Sequence, residues 1–192
     1  MVPEEPHSDE QDIERVQNGD TGAFRQIVTR YTPVIYSLSY RMTGDTEEAE
    51  DAVQEIFTKA YRALDTFDPS RRFFSWLYTI AVNHLRTINR KKERVPSPHV
   101  PYEETVDESV RRDTNSDAPD TTAVRREGER LAQRALDGLD PKYREVFVLR
   151  MVEGISGKET ARILDLPENT VKTYLRRARK TLIEEMKNFG WE

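Results

Sequence analysis

Lys172, Thr173, Arg176, Arg177 and Lys180 fall on one side of a helical repeat whose other side is Val171, Leu175, Ala178 and Leu182. Arginine and lysine present the donors that pair with N7 and O6 of guanine, and each good pair discriminates between bases by about 1–3 kcal/mol. A helix with one apolar and one cationic side is what seating in a DNA major groove requires. Lys172, Thr173, Tyr174, Arg176 and Arg177 are expected nearest the base edges. Arg179 and Lys180 are expected on phosphates or flanking the core. A cationic face can also be merely solvated. What favours DNA contact here is the element that precedes it.

That element reads as a helix and a tight turn. Ser156 and Glu159 are spaced as a capping box that starts a helix. Ala161 is small where two helices must cross closely. Asp165 stands where the turn needs a residue tolerant of positive φ, a conformation that Asp can visit although Gly is more usual. Pro167 blocks continuation of the first helix. The whole is a helix-turn-helix.

A second cluster combines aromatic, amide and cationic groups. Phe67, Asp68, Pro69, Ser70, Arg71 and Arg72 form a loop, and Asn83, His84, Arg86, Thr87, Arg90, Lys91 and Arg94 continue along a helix. Holding an unstacked base needs an aromatic face, a polar group for the base edge and cations for phosphates. Taken alone, Asn83 reads as ordinary polar surface, and Phe73, Phe74, Trp76 and Tyr78 as core. His84 reads as a half-buried or polar-face residue, not a ligand. A third set, Glu50, Asp51, Gln54 and Glu55, lies opposite Val53, Ile56 and Phe57, and by itself reads as a solvated face.

The elements that must position these groups follow from apolar spacing. Residues 1–8 read as a mobile tail. Ser8 and Asp9 can cap a short helix over Ile13 and Val16, ended near Gly19. Asp20 or Thr21 caps a longer one with Phe24, Ile27, Val28, Tyr31, Ile35, Leu38 and Ser39 inward, a potential kink at Pro33 and an end at Gly44. Thr46 and the acids after it start a third helix, with Ala52, Val53, Ile56, Phe57, Ala60 and Leu64 inward. A fourth carries Phe73, Phe74, Trp76, Leu77, Ile80, Ala81, His84, Leu85 and Ile88. From Val95 the pattern fails among Pro96, Pro98, Pro101 and Pro119, so the stretch reads as a flexible acidic linker. Periodicity resumes near Thr122 with Val124, Leu131, Ala135 and Leu136. Asp140-Pro141 caps a helix with Tyr143, Val146, Phe147, Leu149 and Met151, which stops at Gly154. The expected fold is all-α: two small helical domains, 9–95 and 122–188, joined by a linker over 96–121, the C-terminal domain containing the helix-turn-helix.

Composition narrows the function classes. The net charge of −5 argues at first against nucleic acid, but the acids crowd the N-terminus and the middle, whereas the bases cluster at 86–94 and 172–180. Two basic patches flanking an acidic segment fit nucleic-acid binding at two places. With no cysteine there is neither disulfide framework nor thiolate metal site. The three histidines are scattered and no phosphate-loop pattern occurs, so neither a metal nor another cofactor is expected. No apolar run reaches membrane-spanning length, and the acidic N-terminus is unlike a signal peptide.

The segments Leu139–Gly154 plus the helix-turn-helix resemble region 4 of a bacterial RNA polymerase sigma factor. The segments Asp51–Leu64 and Phe74–Asn83 resemble region 2. Both, in this order and with a short linker, resemble the two-domain extracytoplasmic-function (ECF) sigma factors over roughly residues 10–188. The resemblance implies a dissociable initiation subunit of alternative type, not an enzyme. Glu50, Asp51, Gln54 and Glu55 would dock on the coiled coil of the largest subunit of core RNA polymerase. The C-terminal domain would meet the polymerase flap region. Phe67, Asp68, Ser70, Arg71, Arg72, Asn83, Arg86, Thr87 and Arg90 would capture and read single-stranded −10 DNA. Lys172, Thr173, Tyr174, Arg176, Arg177 and Lys180 would read double-stranded −35 DNA. The linker is either a plain tether or a nucleic-acid mimic in the polymerase channel. A cytoplasmic place is implied, at the nucleoid when active or held at the membrane by an anti-sigma factor, with no membrane insertion. A free-standing helix-turn-helix regulator that binds operator DNA without polymerase is the alternative, but it leaves the N-terminal aromatic and acidic runs unexplained.

Overall fold

The computed structural model describes residues 9–94 and 119–188. The N-terminal half holds α1 (Asp9–Gln17), α2 (Thr21–Thr43), α3 (Thr46–Ala63) and α4 (Phe73–Arg94), with one 3-10 turn over Leu64–Thr66. The C-terminal half holds α5 (Pro119–Asp137), α6 (Pro141–Phe147), α7 (Gly157–Leu164) and α8 (Glu168–Asn188). A π-helical turn, Val148–Val152, extends α6. No strand occurs among the described residues. The expected tail and residues 96–118 of the expected linker lie outside them. The chain is already helical at Pro119, where a proline fits because the first helical N–H has no partner to lose.

Side chains close the helix ends as their spacing predicts. Asp20 Oδ1 accepts the Gly22 amide at 3.0 Å to start α2. Asp45, not Thr46, caps α3, accepting the Glu48 amide at 2.9 Å. Asp140 Oδ1 accepts from the Lys142 amide at 3.1 Å behind Pro141. Gly44 ends α2 in the left-handed region at φ 74°, with its amide bonded to the Tyr40 carbonyl. α2 continues through Pro33 because Ile27 and Tyr31 before it, and Ile35 and Leu38 after it, are all buried. Burial of each such side chain contributes about 1.5–3 kcal/mol, enough to outweigh one missing hydrogen bond.

α2, α3 and α4 pack on one another around Ile27, Ile35, Leu38, Ile56, Leu77 and Leu85, each fully buried. α1 closes one end through Ile13 and an ionic cluster that helical spacing does not foresee. Asp12 is fully buried and accepts from Arg30 Nη2 at 2.8 Å; Asp9 accepts from Arg30 Nη1 and from the Tyr31 hydroxyl, each at 2.5 Å. Burial opposes the Arg30 charge, but the two carboxylates outweigh it and hold the guanidinium above its ordinary pKa. The second half packs α6, α7 and α8 around Val146, Leu149, Ile163, Val171 and Ala178. Within the π-helical turn the Glu153 amide reaches back to Val148 O at 3.0 Å. The wider turn changes the angular step between residues. Val148 is therefore buried, and Met151, expected inward, is 46% exposed.

Candidate polymerase and nucleic-acid interfaces

The helix-turn-helix is built from the residues expected to build it. Ser156 Oγ accepts the Glu159 amide at 3.2 Å to start α7. The Glu159 carboxylate turns to Arg162 Nη1 at 3.1 Å. Asp165 ends α7 at φ 53°, ψ 52°, the only non-glycine residue with positive φ among those described. Leu166 N then bonds to Ala161 O at 2.9 Å, closing the turn before α8. An alanine at 165 would keep the strain of this conformation without the local polar compensation of an aspartate. Asp165→Ala is therefore expected to cost about 1 kcal/mol, read as a lower urea midpoint at unchanged m.

α8 divides as its spacing requires. Val171, Ala178 and Leu182 are buried; Lys172, Arg176, Arg177 and Lys180 are exposed. Lys172 and Arg176 have no hydrogen bond or ion pair among the described residues. Arg177 Nη1 donates to the Tyr143 hydroxyl at 2.8 Å, and Lys180 lies 3.8 Å from Glu184. Two further residues expected at base edges are, like Arg177, partly engaged elsewhere. Tyr174 is half-buried, its ring edge-on to Tyr143 at 5.2 Å, and Thr173 Oγ1 donates to Asn169 O at 2.9 Å.

On α3 the expected docking face is open. Glu50, Asp51, Gln54 and Glu55 are exposed on one side, while Ala49, Ala52, Ile56, Phe57 and Ala60 are buried on the other. The 67–72 loop is ordered by Asp68, whose Oδ1 accepts the Ser70 amide at 2.9 Å and whose Oδ2 lies 3.6 Å from Arg71 Nε. The Ser70 bonds and Arg71 hold the Asp68 carboxyl below the usual carboxylate pKa despite some desolvation. Asp68, Ser70, Arg71 and Arg72 are all exposed. Phe67 requires a correction. It is 6% exposed and packs edge-on against Phe73 at 5.6 Å and Trp76 at 5.4 Å. Its bulk gains more from the core than the adjoining loop offers, so it anchors the loop and presents no face to a base.

Along α4, Asn83, Thr87 and Arg90 are exposed, Thr87 Oγ1 donating to Asn83 O at 2.9 Å. His84 is half-buried with Nδ1 2.5 Å from Lys59 Nζ; burial and then that ammonium lower its pKa, which favours the neutral ring. Arg86 is not open in the same way. Instead of facing solvent it is held by Glu145 of α6, with Nε–Oε1 at 2.9 Å and Nη2–Oε2 at 2.7 Å. The pairing raises the Arg86 pKa against the desolvation it suffers. A cleft of about 420 Å³ runs beside this pair, lined by Arg86, Asn89, Arg90, Asp140, Pro141, Lys142 and Glu145.

Sequence reasoning missed Glu145 and Glu153 of the second half. Glu153 accepts from the fully buried Tyr78 hydroxyl at 2.9 Å and from Ser37 Oγ at 3.4 Å, both in the first half. A signal for Glu145 existed: it stands three and four residues before Val148 and Leu149, on the apolar stripe of its helix. A carboxylate on such a stripe needs a partner from elsewhere.

This geometry defines a two-part helical protein with an exposed acidic face on α3, a cationic face on α8 and an aromatic-anchored basic loop. Comparison with known proteins places it. The family model for Sigma-70 region 2 matches residues 27–95, and that for Sigma-70, region 4 matches residues 129–182. The ECF RNA polymerase sigma factor SigW of Bacillus subtilis (strain 168) is 37% identical over 180 residues, which cover 92% of this chain and 95% of SigW. The ECF RNA polymerase sigma-E factor of Escherichia coli (strain K12) is 36% identical over 174 residues, 88% of this chain and 90% of its own. The solved structure of CnrH in complex with the cytosolic domain of CnrY superposes with a TM-score of 0.68 at 30% identity, covering 95% of this chain and 99% of CnrH. The chain belongs to the ECF RNA polymerase sigma factors, with Sigma-70 regions 2 and 4. It is an alternative sigma factor, a transcription-initiation subunit that works with core RNA polymerase, and the free-standing regulator is not favoured.

Proposed function

We propose that each helix face described above serves one step of promoter-specific initiation. Residues 9–95 form the region 2 domain, 96–121 the linker and 122–188 the region 4 domain. Glu50, Asp51, Gln54 and Glu55 dock on an arginine-bearing coiled coil of the largest polymerase subunit, where carboxylate–guanidinium pairs set register more than raw affinity. The region 4 domain also meets the polymerase flap. Asp68, Ser70, Arg71 and Arg72 surround an unstacked −10 base. Asn83 offers its amide to a base edge, and Arg86, Thr87 and Arg90 follow the displaced strand. Lys172 and Arg176, with Thr173, Tyr174 and Arg177 beside them, read the −35 duplex, and Lys180 meets phosphate. Catalysis belongs to the polymerase.

The observation that carries this reading is the exposure, in one chain, of the unpaired Lys172 and Arg176 on α8 and of four hydrogen-bonding side chains on α3. One face suits duplex DNA and the other a basic protein partner. The test is reconstituted transcription: purified chain, core polymerase and fragmented genomic DNA, with transcript 5′ ends mapped. Discrete starts sharing two upstream motifs, absent with core alone, support it. Absence of starts together with binding to DNA without core overturns it.

The reading helix makes a finer prediction. Arg176→Ala is expected to weaken promoter binding by about 1–3 kcal/mol and to relax selection at one −35 base pair. Lys180→Ala should weaken all promoters alike and lower the salt slope by about one. Filter binding of holoenzyme to promoter variants at several salt concentrations separates the two.

An anti-sigma partner belongs to the same reading, and its support is that the similar structure of CnrH is a complex with the cytosolic domain of CnrY. A cytoplasmic place, at the nucleoid or beneath a membrane-bound partner, fits a chain in which no described helix is long and apolar enough to cross a membrane.

A further inference from the structure

We propose that Lys59 and His84 form a seat for a DNA phosphate at the edge of the −10 surface, and that His84 takes up a proton when the phosphate enters it. The proposal rests on the assignment of Asn83, Thr87 and Arg90 to the −10 strand. α3 and α4 pack side by side, and this pair bridges them, with Lys59 Nζ 2.5 Å from His84 Nδ1. An ammonium has only donors, so Nδ1 accepts, and the ring of the free chain is neutral with its one proton on Nε2. Nε2 has no hydrogen-bond partner among the described residues. Lys59 is exposed and forms no ion pair with a carboxylate among them. His84, Thr87 and Lys91 recur at helical spacing and share one side of α4, next to the exposed stripe of Asn83, Thr87 and Arg90. The charged groups that act on the ring are Lys59 and Glu55 of α3 and Lys91 of α4. Burial first, then Lys59 and lastly Lys91 hold its pKa below the ordinary value, while Glu55 opposes them.

A phosphate changes this balance. The lysine ammonium is a point charge on a flexible stem, well suited to a phosphate oxygen. Drawn to a phosphodiester, Lys59 leaves Nδ1 free. Nδ1 then takes a proton from water, and the ring presents a second cation to the same anion. A neutral base edge would give the ring no reason to charge, so the seat suits backbone and not base. The complex holds more protons than its separate parts. Its affinity therefore rises as pH falls from the ring's pKa in the complex toward the lower pKa of the free chain, and is flat on either side.

The chain has three histidines, and the resonance lost in His84→Gln identifies His84 by nuclear magnetic resonance. Its titration in the full chain is followed from about pH 8 to about pH 5, across the ordinary histidine range. Adding a single-stranded oligonucleotide of mixed sequence, about twelve nucleotides long, should raise the ring's pKa toward or above its ordinary value. Holoenzyme affinity for a promoter mapped by transcript 5′ ends should rise roughly three- to tenfold from about pH 8 to about pH 6, and that gain should vanish in His84→Gln. Lys59→Gln should lower the salt slope of promoter binding by about one. An unchanged circular dichroism spectrum and cooperative melt establish that both variants are folded. A ring pKa that the oligonucleotide leaves unmoved overturns the seat, as does a pH dependence retained in His84→Gln. So does a Lys59→Gln variant that loses affinity for core and none for DNA, because Lys59 follows Glu55 by one turn and would then belong to the α3 docking face. Failure of the holoenzyme to start transcripts would instead overturn the functional reading, and the ring titration would still decide the seat.

Discussion

Changing both Asp51 and Glu55 to lysine is expected to abolish core binding and promoter-dependent transcription, with affinity falling by two orders of magnitude or more. The two carboxylates are one turn apart on the exposed side of α3 and take no part in its core, which is made by Ala52, Ile56, Phe57 and Ala60. The helix should therefore fold unchanged in the variant. Against an arginine-bearing partner the substitutions do more than remove attraction. They place like charges in contact, which costs several kcal/mol, and each 1.4 kcal/mol or so is tenfold in affinity. Surface plasmon resonance against immobilised core, beside a urea melt of the free variant, checks it. A variant that binds core within about threefold of the parent would show that this face is solvated surface, as a charged helix side commonly is. Neutral Asp51→Asn with Glu55→Gln should fall between the two, because only the attraction is lost.

The second large effect is on folding. Arg30→Met is expected to destabilise the N-terminal domain by about 3–5 kcal/mol, because it strands a buried carboxylate without its cation. Asp12 is fully buried and its Oδ2 relies on Arg30 Nη2 at 2.8 Å; its Oδ1 has no hydrogen bond and only Arg15 at 4.0 Å. Methionine keeps most of the volume, so the loss reports charge more than packing. Set against the usual 5–15 kcal/mol total for a domain, this is enough to populate unfolded chains visibly at 37 °C. Urea denaturation followed by circular dichroism measures it. Adding Asp12→Asn to the variant should recover part of the loss, since an amide is cheaper to bury unpaired than a carboxylate. A change below about 1 kcal/mol would mean that the cluster behaves as an exposed ion pair.

These two predictions differ in what made them visible. The α3 face was legible in the sequence: apolar residues at helical spacing fix which side points inward, and Glu50, Asp51, Gln54 and Glu55 are what remains on the other. The Arg30 cluster was not. In the sequence Asp9 is a cap candidate and Asp12 one of the acids that crowd the N-terminus, yet both share the side of α1 that carries Ile13 and Val16. That placement hints at a buried partner but cannot name Arg30, because the partner comes from a different helix.

The same division runs through the surfaces proposed to read DNA. Helix existence, the caps at Asp20, Asp140 and Ser156, the strained Asp165 turn and the two faces of α8 are local: each depends on residues within about one turn of one another, so spacing alone determines them. The fate of Phe67, Arg86, Tyr174 and Met151 is not local. Phe67 is drawn inward by Phe73 and Trp76. Tyr174 is held by Tyr143. Met151 is turned outward by a π-helical step that helical spacing does not foresee. Arg86 is claimed by Glu145, 59 residues on. An aromatic ring or a guanidinium is as fit for a base or phosphate as for a core or carboxylate. Which of these it meets depends on what the folded chain brings within reach. The sequence therefore determines the elements and their inward sides, while only tertiary packing decides which of the chemically able side chains remain available to a partner.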